Sequence, residues 1–361
     1  MNDANELISF IASMSGEGNL RVEENLGEGY VRLRVSEAER RQAKHDIQHV
    51  EDIVIEMLRN ARDAGADKVY LAMTKEDGVR TLVFLDNGSG VPQDMQERIF
   101  DARVTSKLES MKMDRWGVHG RGMALFSIKQ NTDEARVVAS DVDLGSVFKV
   151  SVATDRLGER ADQSSWPQAV KDEDGHYVCA RGPHNIIRAA CEFALEELRA
   201  CDVYLGSPSE IAATLHAQAS SHLDASRLLF IDDEAELPVV DRLGLASDAE
   251  DFIRICSGLG LEMSERTAHR ILAGQIKPVR GVTARLLRER DSSSHASAPV
   301  DLAKDRRGLR IAKDDMAQFS RAVERDFNDL ASRYYLNLCG DPKIRVSRDR
   351  ITVTFDLAKE E

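Results

Sequence analysis

Apolar residues at Ile47, Val50, Ile53, Met57, Ala61 and Ala64 recur every three or four positions, the spacing that draws one stripe along a helix. Ser36 and Glu39 upstream have the form of a capping box, so a single long helix is predicted to begin there and to stop at Gly65. Before it, Tyr30–Val35 alternates apolar and polar as a half-buried strand does. Two strands are predicted next, Lys68–Thr74 and Thr81–Leu85, joined by a turn at Asp77-Gly78. Two more, Ala135–Ser140 and Ser146–Val152, would complete a sheet. Short helices are expected at residues 4–14, ahead of a glycine joint at Gly16 to Gly18, at residues 94–100, and at Met123–Lys129.

Beyond this part the pattern changes. Residues 156–176 are polar and acidic and read as a linker. A second α/β run follows: strand His176–Ala180, helix Asn185–Arg199, strand Asp202–Leu205, helix Ser209–Ala217 and strand Arg227–Ile231. Arg181-Gly-Pro-His-Asn185 reads as a polar turn that caps the first of these helices. Residues 247–290 read as helical, and Asp291–Pro299 is the clearest linker. Met316, Phe319, Val323, Phe327, Leu330 and Tyr334 mark a last helical stripe, suited to core or a dimer seam. Strands Ile344–Val346 and Ile351–Phe355 close the chain as a hairpin around Arg348-Asp349. The domain division expected is 1–155, 156–235, 236–298 and 299–361.

A chain of 361 residues, 42% hydrophobic and 31% charged, has the composition of a globular protein of two or three domains. A net charge of −13 argues against wholesale coating of nucleic acid or anionic membrane. The five cysteines (Cys179, Cys191, Cys201, Cys256 and Cys339) are odd in number and form no CxxC pair, as expected of reduced cytoplasmic thiols without a zinc site. No apolar run reaches membrane-spanning length, and the start MNDANEL lacks the basic region of a signal peptide. A cytoplasmic location is the expectation.

Candidate chemistry sits in four pieces between Glu56 and Lys129. Glu56 and Asn60 are one turn apart on the predicted helix, with Asp63 on the same side, bordering the apolar stripe. A carboxylate and a carboxamide in that position either satisfy loop backbone or serve a bound cation and an oriented water. Asp86 ends a strand in Asp-Asn-Gly-Ser-Gly, where Gly88 and Gly90 would let backbone approach a flat ring; a plain turn has the same composition. Val-Thr-Ser-Lys107 precedes a charged, Met-rich stretch from Leu108 to Arg115 that reads as mobile. Gly117, Gly120 and Gly122 then open a helix, an arrangement that turns backbone N–H groups toward phosphates. Further on, Ser264–Pro278 resembles the second helix and exit of a helix-turn-helix. Residues 264–290 carry seven Arg or Lys against two Glu, a basic island in an acidic chain that suits DNA or, equally, a protein face.

Together and in this order, residues 40–155 resemble the GHKL ATP-binding superfamily of gyrase B, heat-shock chaperones, histidine kinases and MutL. The resemblance implies an α+β fold: a Bergerat-type α/β sandwich, followed by a smaller α/β region and a helical C-terminal region. It implies ATP and Mg2+ as ligands. Glu56 would be the general base for an attacking water, Asn60 the magnesium ligand and Asp86 the reader of adenine with Gly88 and Gly90. Asp63 would lie beside them. Gly117, Gly120 and Gly122 would form the lid, and Lys107, His119 and Arg121 would meet phosphates. Gly145-Ser146 takes the place of the family's Gly-Thr strand. Glu56–Ala66 and Thr-Ser-Lys are similar to MutL and type IIB topoisomerase subunits, whereas Arg98–Lys107 is similar to the kinases. The function implied is ATP hydrolysis coupled to dimerisation or switching, acting with DNA. The alternative is a kinase-like or catalytically silent ATP sensor working through protein contacts. The lysine that relatives supply from a following domain to sense the γ-phosphate has no counterpart placed in this sequence.

Overall fold

The computed structural model describes residues 22–106, 112–114, 116–119, 122–198, 200–223, 231 and 233–287, with parts of 316–359. The chain divides into two compact units, 1–291 and 292–361.

In the first unit β1 (Val22–Gly27) and β2 (Tyr30–Leu33) form a hairpin, followed by α1 (Glu37–Asp46) and α2 (Val50–Asp63). Next come β3 (Lys68–Glu76), β4 (Val79–Asp86) and β5 (Val104–Thr105), which pairs back onto β2. A small hairpin of β6 (Lys112–Asp114) and β7 (Gly117–His119) leads to α3 (Ala124–Asn131), β8 (Glu134–Ser140) and β9 (Ser146–Ala153). The unit continues through β10 (Gln168–Lys171), β11 (Tyr177–Arg181), α4 (Ile186–Glu196), β12 (Asp202–Gly206) and α5 (Pro208–His222). Its remaining helices are α6 (Ala249–Gly258), α7 (Glu265–Leu272) and a short helical stretch at residues 282–287.

The central sheet has five strands in the order β12-β3-β4-β9-β8, parallel only between β12 and β3. The register places Val69, Asp86 and Ser146 side by side across β3, β4 and β9. Because side chains alternate between faces, Leu71, Leu82 and Phe84 face α2 and α4, while Tyr70, Ala72, Val83 and Leu85 face α5, α6 and α7. The sandwich expected from the sequence is therefore present, with its second sheet face covered as well.

Several expectations need correction. The helix from Ser36 to Gly65 is two helices: the capping box of Ser36 and Glu39 forms, but Ile47 adopts an extended conformation after Asp46. Asp52 Oδ2 accepts from the backbone N–H groups of Gln48 and His49, so a second helix start is built inside the periodic stripe. Ile47 still reaches the core, only 3% exposed, which is why the periodicity survives the break. Gly65, at φ +75°, ends α2 as expected. Residues 94–100 form two 3-10 turns, Gln93–Met95 and Arg98–Phe100.

The supposed linker at 156–176 is built into the unit. Glu159 pairs with Lys75 and, at 2.8 Å, with the buried Arg80. Arg160 N donates to Glu51 Oε1 at 3.1 Å, Val50 N donates to Gly158 O, and β10 pairs with β11. A boundary at 155 also fails on the sheet itself, since β12 is hydrogen-bonded along β3. Asn185 caps α4 through Arg188 N, as its turn suggested.

In the second unit residues 343–346 pair antiparallel with 351–354, and 336–338 with 357–359. Met316, Phe319, Val323 and Phe327 are helical, and the Phe327 ring stacks on Phe355 at 4.0 Å. The expected helix at 4–14 with its glycine joint, the strand at 227–230, the linker 291–299, Leu330, Tyr334 and Arg348-Asp349 lie outside the described residues.

Candidate functional site

A cavity of about 480 Å³ opens on the α2 side of the sheet, within the range of about 300–1,000 Å³ usual for small-molecule sites. Its wall includes Glu56, Asn60 and Asp63 from α2, Asp86 at the end of β4, Gly90 beyond it, Ser146 at the start of β9, and Gly122 before α3. These seven came from four separate stretches of sequence. Asp86 and Ser146 are cross-strand partners, so their side chains emerge on one face from adjacent strand ends.

Asp86 is buried, and its Oδ1 accepts from Gly88 N at 2.8 Å. The glycines around it have a role the sequence did not reveal. A Cβ on Gly88 would lie 2.8 Å from Ala64 O, one on Gly90 would lie 1.8 Å from Asp141 O, and one on Gly145 would lie 2.1 Å from Asp86 O. Gly90 and Gly145 also have positive φ. The chain's own backbone, rather than a ligand ring, claims the room at these positions, and it thereby fixes the Asp86 strand end against β9.

Glu56 accepts from Arg59 Nη1 at 2.7 Å. Burial pushes the Glu56 carboxyl above its ordinary range, with Arg59 opposing that rise. Arg59, itself buried, also donates to both Asp114 oxygens, through Nη2 at 2.8 Å and Nε at 2.9 Å. Arg62 joins Asp114, Asp63 and Glu197. Such planar forked pairs fix geometry as well as charge. They tie α2, β6 and the end of α4 into one ionic knot behind the cavity. Part of the stretch expected to be mobile, Lys112–Asp114, is thus a strand held by a buried ion pair. Arg59 and Asp114 escaped the sequence reading because their contact spans 55 residues.

Asn60 is half-buried, and its Nδ2 has no hydrogen-bond partner among the described residues. A buried amide nitrogen left unmet by the described residues suits a ligand, and amide ends are interchangeable in assignment. An amide oxygen is a hard donor of the kind magnesium takes, usually alongside phosphates and waters. Asn60 therefore fits the role of magnesium ligand.

The expected lid residues divide. Gly122 lies at the cavity with φ +66°, whereas Gly117 and His119 belong to β7, paired with β6, and are not part of the helix start. Lys107, Gly120 and Arg121 lie outside the described residues. The cavity wall also includes Tyr30, Glu39, Arg103, Trp116 and Ser127, to none of which the motifs assigned a role in a site.

On the opposite sheet face, α7 buries Ala268 and Ile271 and exposes Arg266, His269 and Arg270. Lys277 and Arg280 are exposed beyond it.

No helix among the described residues is long and apolar enough to cross a membrane. Residues 47–140 match the family described as histidine kinase-, DNA gyrase B-, and HSP90-like ATPase. The DNA mismatch repair protein MutL of Pediococcus pentosaceus is 30% identical over 115 residues, which is 31% of this chain and 17% of the relative. MutL of Staphylococcus aureus strain Newman is 28% identical over 136 residues, 35% of this chain and 20% of its own length. The chain thus spans a fifth or less of the length of these curated relatives.

Proposed function

Taking as premise that residues 47–140 carry a GHKL-type ATPase domain, we propose that the cavity binds ATP with magnesium and that Glu56 promotes its hydrolysis. One observation carries this reading: Asp86 and Ser146, paired across two strand ends, share a cavity wall with Glu56 and Asn60, one turn apart on α2. In this reading Asp86 accepts a hydrogen bond from the exocyclic amine of adenine, with Ser146 beside it. Asn60 ligates magnesium, which when bound neutralises phosphate charge. Glu56, in its ionised form, orients and deprotonates a water. Asp63 keeps Arg62 in place, and Gly122, where a Cβ would lie 2.8 Å from Val104 O, lets the start of α3 approach β5 closely beside the cavity, with Gly117, His119, Gly120, Arg121 and Lys107 as lid and phosphate residues.

The consequence of binding would be a change of conformation or of association between two copies. A duplex DNA partner is supported by the exposed cations of α7 and its exit, Arg266, Arg270, Lys277 and Arg280. A second reading, an ATP sensor without turnover, has its own support: Glu56 Oε1 is already engaged by Arg59 Nη1 at 2.7 Å, a contact that competes with a water for that oxygen.

Calorimetric titration with ATP and magnesium tests the site. Asp86→Asn should weaken binding by at least about tenfold, the loss of one charge-assisted hydrogen bond; equal affinity would remove Asp86 from adenine recognition. Phosphate release by wild type, lost in Glu56→Ala while binding stays, supports the hydrolase. Binding without release or autophosphorylation supports the sensor.

A further inference from the structure

Arg103 carries more unexplained structure than any other residue of the cavity wall. It is a non-glycine residue at φ +63°, held left-handed by two backbone bonds: its N–H donates to Gly122 O at 2.8 Å, and its carbonyl accepts from Leu33 N at 3.0 Å. Its guanidinium is more than nine-tenths buried, yet Nε has no hydrogen-bond partner among the described residues. A buried arginine donor left unmet is costly, and left-handed non-glycine backbone concentrates at functional positions. One arm, Nη2, rests on Glu39 Oε1. Glu39 is bound on its other oxygen by Ser36, the N-cap of α1, at 2.8 Å to N and 3.0 Å to Oγ.

The surroundings of Arg103 call for an anion. The Gly122 it bonds to leads directly into α3, whose N-cap Met123 supplies no side-chain cap. Ser127, on the next turn, is buried with its Oγ unpartnered among the described residues. An uncapped helix start, an unpaired hydroxyl and an incompletely paired arginine all border one cavity.

We propose that Arg103 is a two-position residue: without nucleotide it is held by Glu39, and with nucleotide it transfers to the phosphates, releasing Glu39 from the contact that ties α1 to β5. The proposal rests on the nucleotide reading above and adds to it a phosphate-binding residue and an internal competitor. Polyphosphate offers several oxygens and more than one negative charge, so it outcompetes one carboxylate for a forked cation. Glu39 gives way at little cost because its side chain is 36% exposed and keeps its bond to Ser36. The backbone of Arg103 stays pinned, so the exchange needs side-chain rotation alone.

The test is calorimetric titration of the full chain with ATP plus magnesium and, separately, with adenosine. Arg103→Gln should weaken ATP by about tenfold or more and leave adenosine within about twofold. Glu39→Gln, which keeps a capping residue at its position, should tighten ATP binding; in the Arg103→Gln background the same change should have no effect. Equal ATP affinity in wild type and Arg103→Gln, or a Glu39→Gln effect that persists without Arg103, overturns the exchange. If Arg103→Gln does not fold, Glu39→Gln decides alone, and unchanged ATP affinity there overturns it. Wild type that binds adenosine but gains nothing from the phosphates sinks this inference while sparing Asp86; wild type that binds neither sinks both.

Discussion

Glu56 shows how a single side chain is pulled two ways. Burial raises its pKa from the ordinary 4.5, while Arg59 at 2.7 Å pulls it down, and burial wins. A base must be ionised to work, so turnover should rise with pH through that elevated value. The acid limb of a phosphate-release profile is expected to lie above pH 4.5; a limb at or below that value would remove Glu56 as the base. The thiols give a second check at the same scale. Cys201 and Cys256 are buried, with burial pushing each thiol up to about 12, and Cys179 and Cys191 are also buried. Cys339 is exposed. An aromatic disulfide reagent should therefore modify one thiol of the native protein and five after denaturation; rapid native reaction of a second thiol would contradict the packing. That Glu56, Asn60 and Asp63 share a cavity wall was legible because residues three and four apart on a helix share a face. The partners of those residues were not, since Asp114 meets Arg59 only through folding.

Among the elements, residues 156–167 depart most from their composition. Their charges resemble those of a solvated linker, but Glu159 neutralises Arg80, which is buried in β4 beside β9. Burial would raise the Glu159 carboxyl, and Lys75 and Arg80 together hold it below its ordinary value instead. A depressed carboxyl contributes stability above the unfolded value near 4.5 and loses it as pH falls. Glu159→Gln should cost about 3 kcal/mol at neutral pH, because it leaves Arg80 buried without that charge. In denaturant titrations the deficit should shrink below pH 4.5; a deficit that does not change with pH would mean packing, not charge, is lost. The break between α1 and α2 has a similar origin. Periodicity alone continues through Ile47, but local hydrogen bonds that Asp52 accepts from Gln48 N and His49 N start a new helix and win over propagation.

For the whole molecule, the sheet with helices on both faces explains the β3 and β4 sequences. Val69–Ala72 and Leu82–Leu85 are buried at every position, which is the pattern of strands covered on both sides. One cover lines the cavity, and the other presents α7 and its arginines. If those four cations contact DNA phosphates, affinity for random duplex should fall with salt at a logarithmic slope near −4, and Arg270→Gln should reduce the slope by about one. Absence of binding at low salt, by gel shift, would leave the basic face to a protein partner.

The sequence by itself revealed strands β2, β3, β4, β8 and β9, the likeness of residues 40–155 to the GHKL superfamily, and which side chains of α2, β4 and β9 could share a cavity. Local periodicity and strand-end motifs depend on neighbours a few positions apart, and these are present in the sequence alone. Only the tertiary structure decided that β12 (Asp202–Gly206) completes the same sheet, that glycines 88, 90 and 145 admit backbone, and that Arg59, Arg103 and Asp114 belong to the cavity and the ionic knot behind it. Each depends on chain segments tens of residues apart being pressed together, where burial turns an ordinary charge or a missing side chain into a structural requirement.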